Sequence, residues 1–163
     1  MRIIQFILFF FLSRVFCDVI DTANMERNVN GLFLPFLKIA NKVYLIKSDK
    51  AVNWFEAAHF CAQNDADLVT IESANELNAL SKYILTNNGS DTYYWTSGND
   101  LANEGVFMTL FSGKPLPYTH FRVAPDNWKD EDCVHVVYTA KKNYVMNDIS
   151  CTTPGFAICE AHQ

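Results

Sequence analysis

Asp126, Glu131, Asn147 and Asp148 bring four hard-oxygen side chains into one short segment, residues 124–151. The segment reads Ala124-Pro125-Asp126-Asn127-Trp128, then Glu131-Asp132-Cys133, then Met146-Asn147-Asp148, and it closes at Cys151. Carboxylate and amide oxygens of this kind suit Ca²⁺, which takes about six to eight oxygen ligands and tolerates irregular geometry. Acidic surface loops are common, so four such residues alone argue little. Trp128 changes the weight: an aromatic stands two residues after an acid, inside a loop bracketed by two cysteines.

Other chemistry is poorly represented. His59, His120, His135 and His162 show no zinc spacing with one another or with the cysteines, and they read as plain helix, loop, strand and tail residues. No nucleophile-and-base set and no phosphate loop is present, so the chain does not read as an enzyme. Asn88-Gly89-Ser90 is a glycosylation sequon, expected in an exposed loop and occupied. Lys141-Lys142 reads as a turn carrying solvated charge.

The frame that must position these groups is one domain behind a leader. Residues 1–17 read as a secretory signal peptide: Arg2 gives the positive start, residues 3–12 the apolar stretch, and Val15 and Cys17 stand at the third and first positions before a cut at Asp18. That apolar stretch is far shorter than the roughly 20 residues a spanning helix needs, so no membrane span is expected. The mature chain would be secreted. Of 13 basic residues it loses Arg2 and Arg14, leaving 11 against 18 acidic ones and a formal charge of −7. Phosphate binding needs a basic face, so nucleic acid is an unsuitable partner. Cys61, Cys133, Cys151 and Cys159 remain, an even number that reads as two disulfides with three pairings open.

Residues 18–40 are weakly patterned and read as an N-terminal lead-in, contributing one edge strand around residues 32–37. Residues 42–47 have strand composition. Asn53 with Glu56 forms a capping-box pair that starts a helix, and Phe55, Ala58 and Ala62 fall on one stripe with Trp54 and Cys61 beside it. Residues 66–71 form an apolar link. Ser73 and Glu76 open a second helix to about Leu85, with Leu77, Leu80 and Ile84 as its buried face, and Asn87-Asn88-Gly89 breaks it. Beyond it the texture turns to short strands: residues 93–95, a turn over residues 97–100, a hairpin arm over residues 106–111 with its turn at Ser112-Gly113, then residues 133–138, 143–146 and 156–160. Two helices followed by many short strands is an α+β order.

The Cys61…Cys133…Cys151…Cys159 order, with the first on a helix and the last in the final strand, resembles the C-type lectin-like fold. Trp95-Thr96-Ser97-Gly98 is similar to that family's Trp-Ile-Gly-Leu strand, and Met146-Asn147-Asp148 to its Trp-Asn-Asp. The resemblance spans residues 41–161, and the chain looks like the short single-domain secreted lectins of insects. It implies two helices packed on small antiparallel sheets with a long loop region. It also implies the pairs Cys61–Cys159, closing the domain, and Cys133–Cys151, closing the candidate loop.

The resemblance further implies how the loop would work. In Ca²⁺-dependent members the ion binds two vicinal sugar hydroxyls, which also donate to the carboxylate ligands and accept from the amide ones. Asp126, Glu131, Asn147 and Asp148 would be the ligands here, Asp148 adding its carbonyl, and Pro125 would be the family's cis-proline. Glu-Pro-Asn accompanies mannose-type sugars and Gln-Pro-Asp galactose-type ones. Ala124-Pro125-Asp126 keeps the galactose-type acid, and Trp128 stands where a pyranose face would stack. The expected partners are therefore glycans ending in galactose or N-acetylgalactosamine. Modest single-site affinity would be raised by homo-oligomers or dense glycan targets. Ala124 departs from the pattern, since a methyl cannot ligate; a lectin-like domain recognising a protein is the alternative.

Overall fold

The computed structural model describes residues 36–88, 93–125, 130–139 and 143–162. The expected leader 1–17 and most of the lead-in lie outside them, as do Gly89, Ser90, Asp126, Trp128, Lys141 and Lys142. Strand β1 (Leu37–Ile39) pairs with β2 (Lys42–Val52), which continues past the expected residues 42–47 through an irregular register between Lys47 and Val52.

Helix α1 (Trp54–Gln63) starts as its sequence dictates. Asn53 Oδ1 accepts from the Glu56 N–H at 2.9 Å and Glu56 Oε2 accepts from the Asn53 N–H at 3.2 Å, so two orphan donors are satisfied reciprocally. Its inward face is Trp54, Ala57, Ala58 and Cys61, while Phe55 is 45% exposed and Ala62 is exposed. The expected stripe is thus rotated. Two bonds explain it: Cys61 must reach Cys159, and the Trp54 indole donates to the Thr96 carbonyl at 2.8 Å. Residues 66–71, expected as a link, begin with strand β3 (Ala66–Leu68). Ala66, Leu68 and Val69 are buried there, and buried backbone groups need partners; β8 supplies them.

Helix α2 (Ala74–Asn87) carries the Ser73 cap and buries Leu77, Leu80, Ser81 and Ile84. Glu76 Oε2 reaches the Glu72 N–H at 2.8 Å rather than that of Ser73, while Oε1 accepts from the Tyr44 hydroxyl at 2.8 Å. Strand β4 (Tyr93–Asn99) absorbs residues expected as a turn. Gly98 is a close-packing glycine: a Cβ there would lie 2.9 Å from Val134. The turn comes later, at Gly105 with φ +74°, where a glycine suits the left-handed region.

Strands β5 (Met108–Thr109), β6 (Cys133–Tyr138), β7 (Tyr144–Ile149) and β8 (Gly155–Ala161) complete one connected sheet in the order β1-β2-β8-β4-β6-β7. Off that path β3 pairs with β8 and β5 with β4; all pairs are antiparallel except β4 with β8. Tyr44, Val69, Ile71, Leu77, Leu80, Ile84, Tyr94, Val134, Val136, Met146 and Ile158 form the core between sheet and helices. Cys61–Cys159 fastens α1 to β8, and Cys133–Cys151 fastens the start of β6 to the residues after β7. Both bridges are those the resemblance implies. Among the described residues no helix is long and apolar enough to cross a membrane.

Candidate functional site

The β6–β7 hairpin positions the described half of the loop chemistry. Glu131 and Asp132 lead directly into β6, and β7 runs antiparallel beside it with Val134 opposite Asp148 and His135 opposite Asn147. The extension of β7 beyond the expected residues 143–146 puts Asn147 and Asp148 on a regular strand. Successive strand residues face opposite sides of the sheet. Asp148 is accordingly 2% exposed, while Asn147 and Glu131 are half-buried. Asn147 Nδ2 donates to the Asp148 carbonyl at 2.5 Å, so the amide and the carbonyl expected to serve one cation already touch each other. The Cys133–Cys151 bridge, with Cα atoms 5.1 Å apart, closes this end of the hairpin.

Asp126 and Trp128 lie outside the described residues. Among the described residues, no three His, Cys, Asp or Glu side chains gather closely enough to cage a metal. Pro125 corrects one expectation: no cis peptide bond occurs among the described residues, so the Ala124–Pro125 bond is trans. Trans is the lower state of an X–Pro bond by about 0.5–1 kcal/mol, and the Ala124 methyl makes no bond that would offset it.

A second acidic set stands beside this hairpin, and its Asp100 falls where a turn over residues 97–100 is expected. The Asp100 N–H donates to the Asp132 carbonyl at 3.1 Å, and Asp100 Oδ2 accepts from the Gly105 N–H at 2.8 Å. Asp100 is 3% exposed, and its Oδ1 is buried with no hydrogen-bond partner among the described residues. Burial, and then the Asp132 charge, hold the Asp100 carboxyl above its ordinary range. Glu104 is also held up, by local desolvation and by the fields of Asp100, Asp132 and Asp148. A buried carboxylate oxygen without a donor, in a field of like charges, is costly unless a proton or a cation completes it. Hard oxygens are the donor type that Ca²⁺ takes, so these side chains suit that ion by chemistry, while no three of them gather into a cage among the described residues. No local signal in the sequence joins Asp100 and Glu104 to residues 131–148.

His135 lies between Tyr93 and Trp95, edge-on to both with centroids 4.8 and 5.9 Å away. Burial pushes its imidazole down to about 4. It is a neutral core residue at neutral pH, as a plain strand histidine should be. Asn88, at the end of α2, is half-buried and its Nδ2 donates to Ser48 Oγ at 2.7 Å. That nitrogen is the atom a glycan would take.

Comparison with known proteins bears on the whole arrangement. The profile described as Lectin C-type domain matches residues 50–161. C-type lectin 37Db of Drosophila melanogaster is 33% identical over 126 residues, covering 76% of this chain and 80% of that protein. The mouse scavenger receptor C-type lectin carbohydrate-recognition domain superposes with a TM-score of 0.66 at 26% identity, over 78% of this chain and 94% of that one. A Ca²⁺-dependent type II antifreeze protein in its Ca²⁺-free form shares the fold alone, at 21% identity and a TM-score of 0.65, over 78% and 97% of the two chains.

Proposed function

Because this chain belongs to the C-type lectin domain family, a family of non-enzymatic carbohydrate-binding proteins, we propose that it is a secreted Ca²⁺-dependent lectin for galactose-type sugars. The observation that carries the reading is the juxtaposition on the β6–β7 hairpin: Glu131 at the entry of β6, and Asn147 and Asp148 opposite its first residues, clamped by Cys133–Cys151. Asp126, Glu131, Asn147 and Asp148 would hold the ion, and Asp100, Asp132 and Glu104 supply the adjoining negative field. When bound, the ion would coordinate sugar hydroxyls directly. The carboxylates would accept hydrogen bonds from the sugar hydroxyls, and the Asn147 amide would donate to them. Trp128 offers its ring to the C–H face of the sugar.

Ala124 weakens this site without abolishing it. Water fills a missing Ca²⁺ position, and the lost contact is worth about 1.5 kcal/mol, the low end of the charge-assisted range, because the family's residue there is a neutral amide. Cleavage after residue 17, the domain over residues 41–161 and a glycan on Asn88 belong to the same reading, the last requiring Asn88 to give up Ser48. The direct test is retention of the mature, oxidised protein on immobilised galactose and on mannose. Galactose retention released by chelator and weakened by Asp126→Asn is expected. A protein-binding domain is the second reading, favoured by the Ala124 methyl. Failure to bind any sugar at millimolar Ca²⁺ would select it.

A further inference from the structure

A cavity of about 500 Å³ opens between β3, the end of β8 and the loop that follows β5. None of the residues placed at the lectin site lines it. Its volume falls within the roughly 300–1,000 Å³ typical of small-ligand sites. One wall is apolar, with Phe111, Pro115 and Pro117; Phe111 is 48% exposed. The other wall is acidic, with Asp67, Glu72 and Glu160.

The acidic wall is held in place from behind. Lys42 Nζ contacts Glu72 Oε2 at 2.8 Å, Glu160 Oε1 at 2.9 Å and Glu76 Oε1 at 3.1 Å, and Lys42 does not itself line the cavity. One ammonium therefore faces three carboxylates, and uncompensated negative charge remains. Each of Glu72 and Glu160 places one oxygen against Lys42. Asp67 meets His162 Nε2 at 3.2 Å. Lys114, an exposed residue, is the lysine on the lining.

We propose that this cavity binds an organic ammonium, with the amine against Glu72 and Glu160 and its apolar stem against Phe111 and the two prolines. The carboxylates are fixed by Lys42 before a ligand arrives, so little ordering accompanies binding. An ammonium satisfies the excess charge, whereas a neutral group of the same shape does not. The site is independent of Ca²⁺ and of the sugar reading.

Calorimetric titration of the mature protein with 2-phenylethylamine and with 2-phenylethanol, both in chelator, tests this. The amine is expected to bind at least about ten-fold more tightly than the alcohol, the factor one charge-assisted contact gives. Glu72→Gln should reduce amine affinity about ten-fold. Phe111→Ala removes the stem's platform without touching the Lys42 contacts, and should weaken the amine if Glu72→Gln does not fold. Equal affinity for amine and alcohol, no saturable binding at low-millimolar amine, or insensitivity to Phe111→Ala would overturn the proposal. Titration with N-acetyl-lysine amide identifies the source. Tighter binding than the aryl amine assigns the ammonium to a lysine of a partner protein, weaker binding to a free amine.

Discussion

Asp100 and Asp132 are tied through the backbone, the Asp100 N–H donating to the Asp132 carbonyl at 3.1 Å. The bond holds two carboxylates near each other, and the Asp132 charge adds to burial in pushing the Asp100 carboxyl up. A fold does not keep a buried acid beside a second acid without a cost, and a divalent cation is the simplest relief. Ca²⁺ should therefore raise the unfolding temperature. At a free concentration 100 times the dissociation constant the gain is about 2.7 kcal/mol. Asp100→Asn keeps an acceptor for the Gly105 N–H and removes the charge. It should reduce the Ca²⁺-linked shift while leaving the protein in chelator as stable as the parent or more so. Thermal unfolding with Ca²⁺ and with chelator reads both effects, and an unchanged shift in the variant would remove Asp100 from the site.

His135 sets an acid limit on stability. Its folded pKa of about 4 lies below the unfolded 6.5 because burial penalises the imidazolium. The neutral ring's contribution is complete above the unfolded value and is lost as pH falls through the folded one. The window is about pH 6.5 to 4, and the loss across it is about 3 kcal/mol. Asp100 and Glu160 are raised by burial, so their contributions run the opposite way, present at low pH and lost as pH rises. Subtracting the stability of His135→Leu from that of the parent isolates the histidine. That difference should shrink as pH falls from 6.5 to 4, by denaturant titration at each pH; a flat difference would contradict the buried neutral ring.

Lys42 should be the costliest single polar side chain to remove. It is 8% exposed and joins β2, β8 and the start of α2 through three carboxylates. Removing one partner of a buried ionic set leaves charge without compensation, at about 3–5 kcal/mol. Lys42→Met keeps the stem and should lose that much in urea unfolding. Adding Glu160→Gln should recover part of it, since two like charges rather than three then face each other; strict additivity of the two losses would argue against coupling.

The helices were legible because their signals are local. Asn53 with Glu56 and Ser73 with Glu76 announce both starts within one turn, and Leu77, Leu80 and Ile84 fall at helical spacing. The rotation of α1 was not legible, because it is set by Cys159 and the Thr96 carbonyl, both far along the chain. Gly98 misled for a related reason: a glycine needed for approach to Val134 has the same local appearance as one needed for a turn. At the site, Glu131, Asn147 and Asp148 could be picked out by residue type. Asp100 and Glu104 could not, since only the Asp100–Asp132 backbone bond shows that the two stretches meet.

The two disulfides should fail differently. Cys133–Cys151 closes a loop with a sequence separation of 18, and Cys61–Cys159 one of 98. Loop-closure entropy gives about 3 kcal/mol for the shorter and about 4.7 kcal/mol for the longer. By that measure the outer bridge matters more to folding. The inner bridge instead fixes where β6 begins relative to the end of β7, and with it the spacing of Glu131 from Asn147 and Asp148. Replacing Cys133 and Cys151 together by Ala should lower the unfolding free energy by about 3 kcal/mol and, beyond that, erase both the Ca²⁺-linked shift and galactose retention at temperatures where the protein is still folded. Replacing Cys61 and Cys159 should cost more stability and leave the Ca²⁺-linked shift in whatever fraction folds. Unfolding curves in Ca²⁺ and in chelator for both variants give the comparison. Equal loss of the Ca²⁺ effect in the two would mean that the inner bridge has no special hold on the site.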